Sequence, residues 1–265
     1  MSARSTRLVA VANEKGGVGK TAMVVNLSAA LATMGKNLLV VDMDPQHNAT
    51  SGLGVEINDS MISVYNLISE PGDHAPSAAI VETSLKGIHL IPSHPDLSGA
   101  EVELVDEEGR ENRLKEALVN VIGNYDIVII DTPPSLSLLT INVFAMANEI
   151  LVPCQTHPYS YKALETLFDT IEAVKEDINP GLKVTGIVPT FYDRRTRVGR
   201  DILSRLQSDQ RYSPHVYKTP IRVNTAIAAS SDAGKPVCSY NKSCNGTRDY
   251  MGVAEEFLSR NGKKV

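Results

Sequence analysis

The feature that most limits what this chain can fold into is a glycine-rich run ending in lysine and threonine, Gly16-Gly17-Val18-Gly19-Lys20-Thr21. A short apolar segment, Leu8 to Ala12, precedes it. Good helix formers follow from Lys20 to Met34 and end at Gly35, a residue suited to close a helix. Between a strand and a helix, such a run reads as a phosphate cradle. Glycines let successive backbone N–H groups turn inward, and the helix N-terminus adds a positive dipole. Lys20 is expected to reach the terminal phosphates as a point charge, and the Thr21 hydroxyl to ligate Mg²⁺. The plain alternative is a tight strand-to-helix turn that binds nothing.

The rest of the chain alternates in the same way. Apolar runs at Leu38–Val41, Ile88–Ile91 and Ile127–Ile130 read as strands buried on both faces, and Ile150–Val152 and Lys183–Val188 complete the expected interior. Helices are expected over Met61–Ser69, Arg110–Ile122, Leu136–Ala147, Lys162–Asp177, Arg200–Ser208 and Asp249–Arg260. The class is therefore α/β, a doubly wound, mostly parallel sheet with helices on both faces. One domain is expected over residues 1–265, with too few residues before the first strand for an N-terminal helix-turn-helix. The stretch Glu101–Glu111, with six acids and one arginine, reads as a solvated helix face or loop.

Two acidic sites fall at strand ends. Asp42 and Asp44 follow Leu38–Val41, and Asp131 follows Ile127–Ile130 ahead of Thr132-Pro133-Pro134. In a parallel sheet the C-terminal strand ends face the ligand crevice, where carboxylates hold Mg²⁺ or orient a water. Each alone could equally be a helix cap or turn former. Lys15, just before the first loop glycine, can stabilise transition-state charge as an arginine finger does; alone it could be an exposed loop lysine.

Composition removes several classes. Trp is absent and aromatics are 5%, so stacking platforms for single-stranded nucleic acid are not expected. A net charge of −5 argues against a globally basic nucleic-acid binder, although a local basic face remains open. The cysteines, Cys154, Cys238 and Cys244, read as free thiols. The N-terminus lacks the apolar core of a signal peptide, and no apolar run spans a membrane, so a cytoplasmic protein is expected.

At Asn13–Thr21, Val41–Gly54, Tyr125–Ser135, Tyr192–Thr196 and Gly234-Lys235-Pro236 the chain resembles the ParA/Soj family of DNA-partitioning ATPases, relatives of MinD with a deviant Walker A loop. The resemblance runs essentially the whole length. It implies an ATP-driven homodimer with Lys15 reaching the partner's ATP, and catalysis by Lys15, Lys20 and Asp44, the last orienting the hydrolytic water. Nucleotide contacts are implied for Lys15 through Ala22 and for Pro220, Arg222 and Asn224, and metal roles for Thr21, Asp42 and Asp131. The family's partners would be non-specific double-stranded DNA and a ParB-like centromere-binding protein, with the chain on the nucleoid. Five positions depart from the pattern: Ala22 for a second threonine, His47 for glycine, Arg222-Val223 for Pro-Arg, and Ala226 for an arginine.

From Lys183 to Arg222 nine basic residues face three acids, a local charge of +6 (nine minus three). Such a cluster suits duplex phosphates, and Arg194, Arg195, Arg197, Arg200 and Arg222 are the candidates; a solvated surface is the plain alternative. The same switch could instead position protein cargo on the nucleoid. A MinD-like membrane ATPase would need an amphipathic, basic C-terminal helix, and Glu255–Val265 is too acidic for it.

Overall fold

Continuous apolar runs become inner strands here because both of their faces are covered. The computed structural model describes residues 6–260. Residues 1–5, part of the stretch read as carrying no signal peptide, and residues 261–265, the end of Glu255–Val265, lie outside it. The strands are β1 (Arg7–Val11), β2 (Leu38–Asp42), β3 (Val81–Glu82), β4 (Ile88–Ile91), β5 (Ile127–Asp131), β6 (Glu149–Gln155) and β7 (Lys183–Thr190). They form one sheet in the order β3-β4-β2-β5-β1-β6-β7, parallel throughout except where β3 meets β4.

The helices are α1 (Lys20–Thr33), α2 (Asn48–Gly52), α3 (Val64–Ser69), α4 (Leu97–Glu103), α5 (Arg113–Leu118), α6 (Leu138–Met146), α7 (Pro158–Asp177), α8 (Arg197–Ser208), α9 (Thr225–Asp232), α10 (Val237–Tyr240) and α11 (Asn245–Arg260). Side chains alternate across each strand, so β1 sends Leu8 and Ala10 into one apolar layer and Val9 and Val11 into the other. The first layer is closed by α3 to α8, through residues such as Leu67, Leu118, Phe144 and Leu167. The second is closed by α1 and α11, through Met23, Leu27, Tyr250 and Phe257. This is the doubly wound arrangement that the alternating pattern implies.

The differences have local causes. β3 is two residues long, too short to leave a period. α7 starts at Pro158, ahead of the expected Lys162, because proline lacks only an N–H that the first turn does not use. α8 starts at Arg197 because Thr196 caps it, its hydroxyl accepting the Gly199 N–H at 3.2 Å. Arg110–Ile122 is not one helix: a 3₁₀ turn at Arg110–Asn112 leads into α5, which ends at Leu118. The short helices α2, α4, α9 and α10 carry no sustained apolar stripe and were not expected. Gly35 closes α1 as expected, with a φ of 80°. The acids of Glu101–Glu111 lie mostly exposed at the end of α4 and in the turn after it.

Candidate nucleotide site

The loop after β1 is fixed at its root and along its length. Asn13, buried, donates its amide to the Pro153 carbonyl (2.8 Å) and accepts the Lys15 N–H (3.0 Å). Val18 is fully buried, and its carbonyl accepts the Thr190 hydroxyl at 2.8 Å from the end of β7. Gly17 and Gly19 hold φ values of 73° and 92°, where a side chain would be strained. Gly19 is also the N-cap of α1 and offers no side chain, so the first-turn N–H groups remain available to an anion. Ala22 presents only a methyl where the family pattern has a hydroxyl; its carbonyl takes the Asn26 amide at 2.7 Å.

β2 and β5 end beside this loop, and their register sets Asp42 opposite Asp131. The two buried carboxylates are used differently. One Asp42 oxygen accepts the Thr50 hydroxyl (2.7 Å) and N–H (2.8 Å), and the other accepts the Asp44 N–H at 3.2 Å. Asp42 thus shapes the turn that presents Asp44, and burial pushes its carboxyl up to about 6. Both oxygens of Asp131 are buried and accept no formed hydrogen bond. Burial and then the charge of Asp42 raise its pKa well above the carboxylate range; the Thr21 hydroxyl, close by but short of hydrogen-bond geometry, and Lys20 oppose this. An unsatisfied buried carboxylate beside a threonine hydroxyl suits Mg²⁺ that keeps its remaining shell from waters and phosphates. Thr21 and Asp131 therefore fit the ion directly, and Asp42 supports the loop around it.

Lys20 is buried, which lowers its pKa, while Asp131 and Asp44 pull the proton back on; its ammonium donates to the Lys15 carbonyl at 3.4 Å. Asp44 is 7% exposed, and one of its oxygens accepts the Gln46 N–H at 3.0 Å. Lys15 folds back on its own chain, donating to Gln155 Oε1 (3.2 Å) and Ser160 Oγ (3.4 Å). His47 takes a φ of 45° in the turn after Asp44, the left-handed geometry that glycine adopts freely.

The segment Pro220–Asn224 lies along the chain that leaves β7: Ile221 N–H donates to Pro189 O (2.8 Å) and Tyr192 N–H to Ile221 O (3.0 Å). Asn224 caps α9, its side-chain oxygen accepting the Ala226 N–H at 2.9 Å. Arg222 is committed elsewhere, because its guanidinium grips the buried Asp249 at 2.6 and 3.0 Å. Arg194, Arg195, Arg197 and Arg200 gather exposed at the start of α8. Arg195 pairs with Asp193 (2.8 Å) and Arg197 with Asp201 (3.4 Å), while Arg200 donates to the Arg194 carbonyl (2.8 Å). Sequence reasoning missed Asn13, Thr50, Gln155, Ser160 and Thr190 as supports. For Asn13, Gln155, Ser160 and Thr190 the role depends on contacts between segments 140 or more residues apart, and for Thr50 on a buried turn contact with Asp42 eight residues away.

Residues 6–184 match the model of a family described as an AAA domain. Over 253 residues the chain is 39% identical to the sporulation initiation inhibitor protein Soj of Bacillus subtilis, covering 96% of this chain and 98% of that protein. Over 258 residues it is 36% identical to the chromosome partitioning protein ParA of Myxococcus xanthus, covering 97% of this chain and 90% of that protein. The chain belongs to the ParA/Soj family of partitioning ATPases. Its ParA/Soj fold also superposes on a crystal structure named cobyrinic acid a,c-diamide synthase from Mycobacterium smegmatis, which holds ADP and magnesium. The TM-score is 0.84 and the identity 36%, with 98% of each chain covered. Among the described residues of this ParA/Soj chain, no helix is long and apolar enough to cross a membrane.

Proposed function

We propose that the chain is an ATP-hydrolysing switch that, with ATP and Mg²⁺, pairs face to face with a second copy. The pair holds duplex DNA without sequence preference, and a ParB-like partner stimulates slow hydrolysis and release, so that chromosome or plasmid DNA is moved. The observation that carries this reading is the unsatisfied, buried Asp131 set beside Thr21, Lys20 and Asp44 at the mouth of a left-handed glycine loop. Family membership supports the same reading.

The loop N–H groups and Lys20 would take the negative charge of the phosphates, and Thr21 and Asp131 are the residues that would hold Mg²⁺. Bound Mg²⁺ would draw off charge that builds on the phosphate oxygens. Asp44 has one oxygen fixed by Gln46, which leaves the other to orient the attacking water. Lys15 must leave Gln155 and Ser160 to reach a partner's phosphates, so dimerisation exchanges an internal contact for one between copies. At the start of α8, exposed pairs such as Arg195 with Asp193 are cheap to exchange for DNA phosphates.

The test is binding of random-sequence duplex DNA with ATP, with ADP and without nucleotide, over a salt series. Binding with ATP alone, falling steeply with salt, is the expected result. Asp44→Ala is expected to abolish hydrolysis and keep the ATP form on DNA. DNA binding that ignores nucleotide, or is absent in every state, overturns the DNA half of the proposal. Normal hydrolysis by Asp44→Ala removes that residue from its role.

A further inference from the structure

Phe191 stands outside every residue role assigned above. It follows β7 with a φ of 50°, and among the described residues only His47 shares the left-handed region with it outside glycine. A phenylalanine Cβ crowds the backbone in that region. Burial does not compensate, because the residue is 45% exposed.

The surrounding contacts nevertheless hold the residue in place. The Thr156 hydroxyl donates to the Phe191 carbonyl at 3.3 Å. On one side, Thr190 is tied to Val18 in the glycine loop at 2.8 Å. On the other, Tyr192 bonds through its N–H to Ile221 (3.0 Å) and through its carbonyl to Val223 (3.1 Å), the segment leading to Asn224. The ring lies against the loop itself: a Cβ built on Gly19 would sit 3.6 Å from Cε2 of Phe191. Strain held in place by neighbours, combined with an aromatic face left in water, marks a position whose partner is absent from the chain.

We propose that Phe191 is a nucleoside-contact residue. Its ring forms one wall against which the nucleoside half of ATP packs while the glycine loop holds the phosphates. The proposal rests on the reading that Gly16–Thr21 binds the triphosphate. It adds a determinant that distinguishes a nucleotide from a bare polyphosphate.

The experiment measures Mg²⁺-dependent binding of ATP and of inorganic tripolyphosphate by calorimetry, for the parent chain, Phe191→Ala, Phe191→Leu and Lys20→Ala. Loss of an aromatic wall is expected to weaken ATP about tenfold and leave tripolyphosphate unchanged, with the leucine variant between. The leucine variant keeps an apolar side chain over Gly19, so a folding failure in the alanine variant does not decide the outcome. If ATP and tripolyphosphate weaken together, Phe191 only shapes the loop, and the proposal is overturned. It is overturned equally if neither ligand responds. Lys20→Ala is expected to weaken both ligands; if both still bound normally, the loop reading itself would fail, a result distinct from either failure at Phe191.

Discussion

The crevice over β1, β2 and β5 and the basic start of α8 differ in how tightly their side chains are fixed. In the crevice Asp42, Asp44, Lys20 and Asp131 are all buried, and three of the four make hydrogen bonds inside the chain. At the start of α8 Arg195, Arg197 and Arg200 are exposed, and their partners are neighbours in sequence or backbone carbonyls. On the proposed function the crevice places one ion and one water, which needs preorganised groups, and the fold carries the cost of burying them. The DNA surface proposed at α8 would need only a density of charge, which loosely held arginines supply.

The largest expected effect comes from breaking the crevice at its unsatisfied group. Asp131→Asn removes a charge that is buried without a formed hydrogen bond and stands beside Asp42. The nucleotide-free protein is expected to gain about 1–2 kcal/mol of stability, while Mg²⁺-dependent hydrolysis falls at least about a hundredfold. Thermal unfolding without nucleotide and steady-state phosphate release measure the two sides. A variant that melts below the parent would mean that the carboxylate is satisfied within the fold, and that its place beside Thr21 has another purpose.

The same contrast explains what could be read before the structure. The glycine loop, the strand-end acids and the two-sided burial were legible because each leaves a fixed spacing or a continuous apolar run in the sequence. The bounds of β4, Ile88–Ile91, are legible because Gly87 and Pro92 bracket it, and both residues break a strand. The division of labour between Asp42 and Asp131 was not legible: it depends on Thr50, which is buried and contributes both its hydroxyl and its N–H to one of them. Counting charges found the arginines of α8 but could not separate Arg222 from them, because its partner, Asp249, lies 27 residues away.

That separation gives the next prediction. Arg222→Ala leaves the buried Asp249 without its guanidinium and is expected to cost about 1–2 kcal/mol, discounted from the loss of a fully buried pair because Arg222 is 41% exposed. Arg195→Ala and Arg200→Ala are expected to leave the melting temperature close to that of the parent. Each should lower DNA affinity across all sequences, with a salt slope shallower by about one for each phosphate that the arginine neutralises. Thermal melts and a DNA-binding salt series, run on the same three variants, make the comparison direct. If Arg222→Ala weakened DNA binding without lowering stability, the ion pair with Asp249 would be exchangeable and Arg222 would belong to the surface.

The smallest effect concerns the turn that joins Asp42 to α2. His47 holds a left-handed φ of 45°, and its ring has only a 3.4 Å contact with the Ser51 hydroxyl to compensate. Replacing it with glycine removes roughly 1 kcal/mol of steric cost, and glycine's greater freedom in the unfolded chain offsets about half of that. His47→Gly is therefore expected to stabilise the fold by about 0.5 kcal/mol, measured by denaturant unfolding. The position lies three residues past Asp44, whose carbonyl accepts the His47 N–H at 2.8 Å, so the substitution also tests how the turn that presents Asp44 is held. Unchanged hydrolysis would place the turn's geometry in Asp42 and Thr50. A slower rate in a more stable protein would mean that the strained histidine keeps Asp44 in its working position, as strain at other functional turns does.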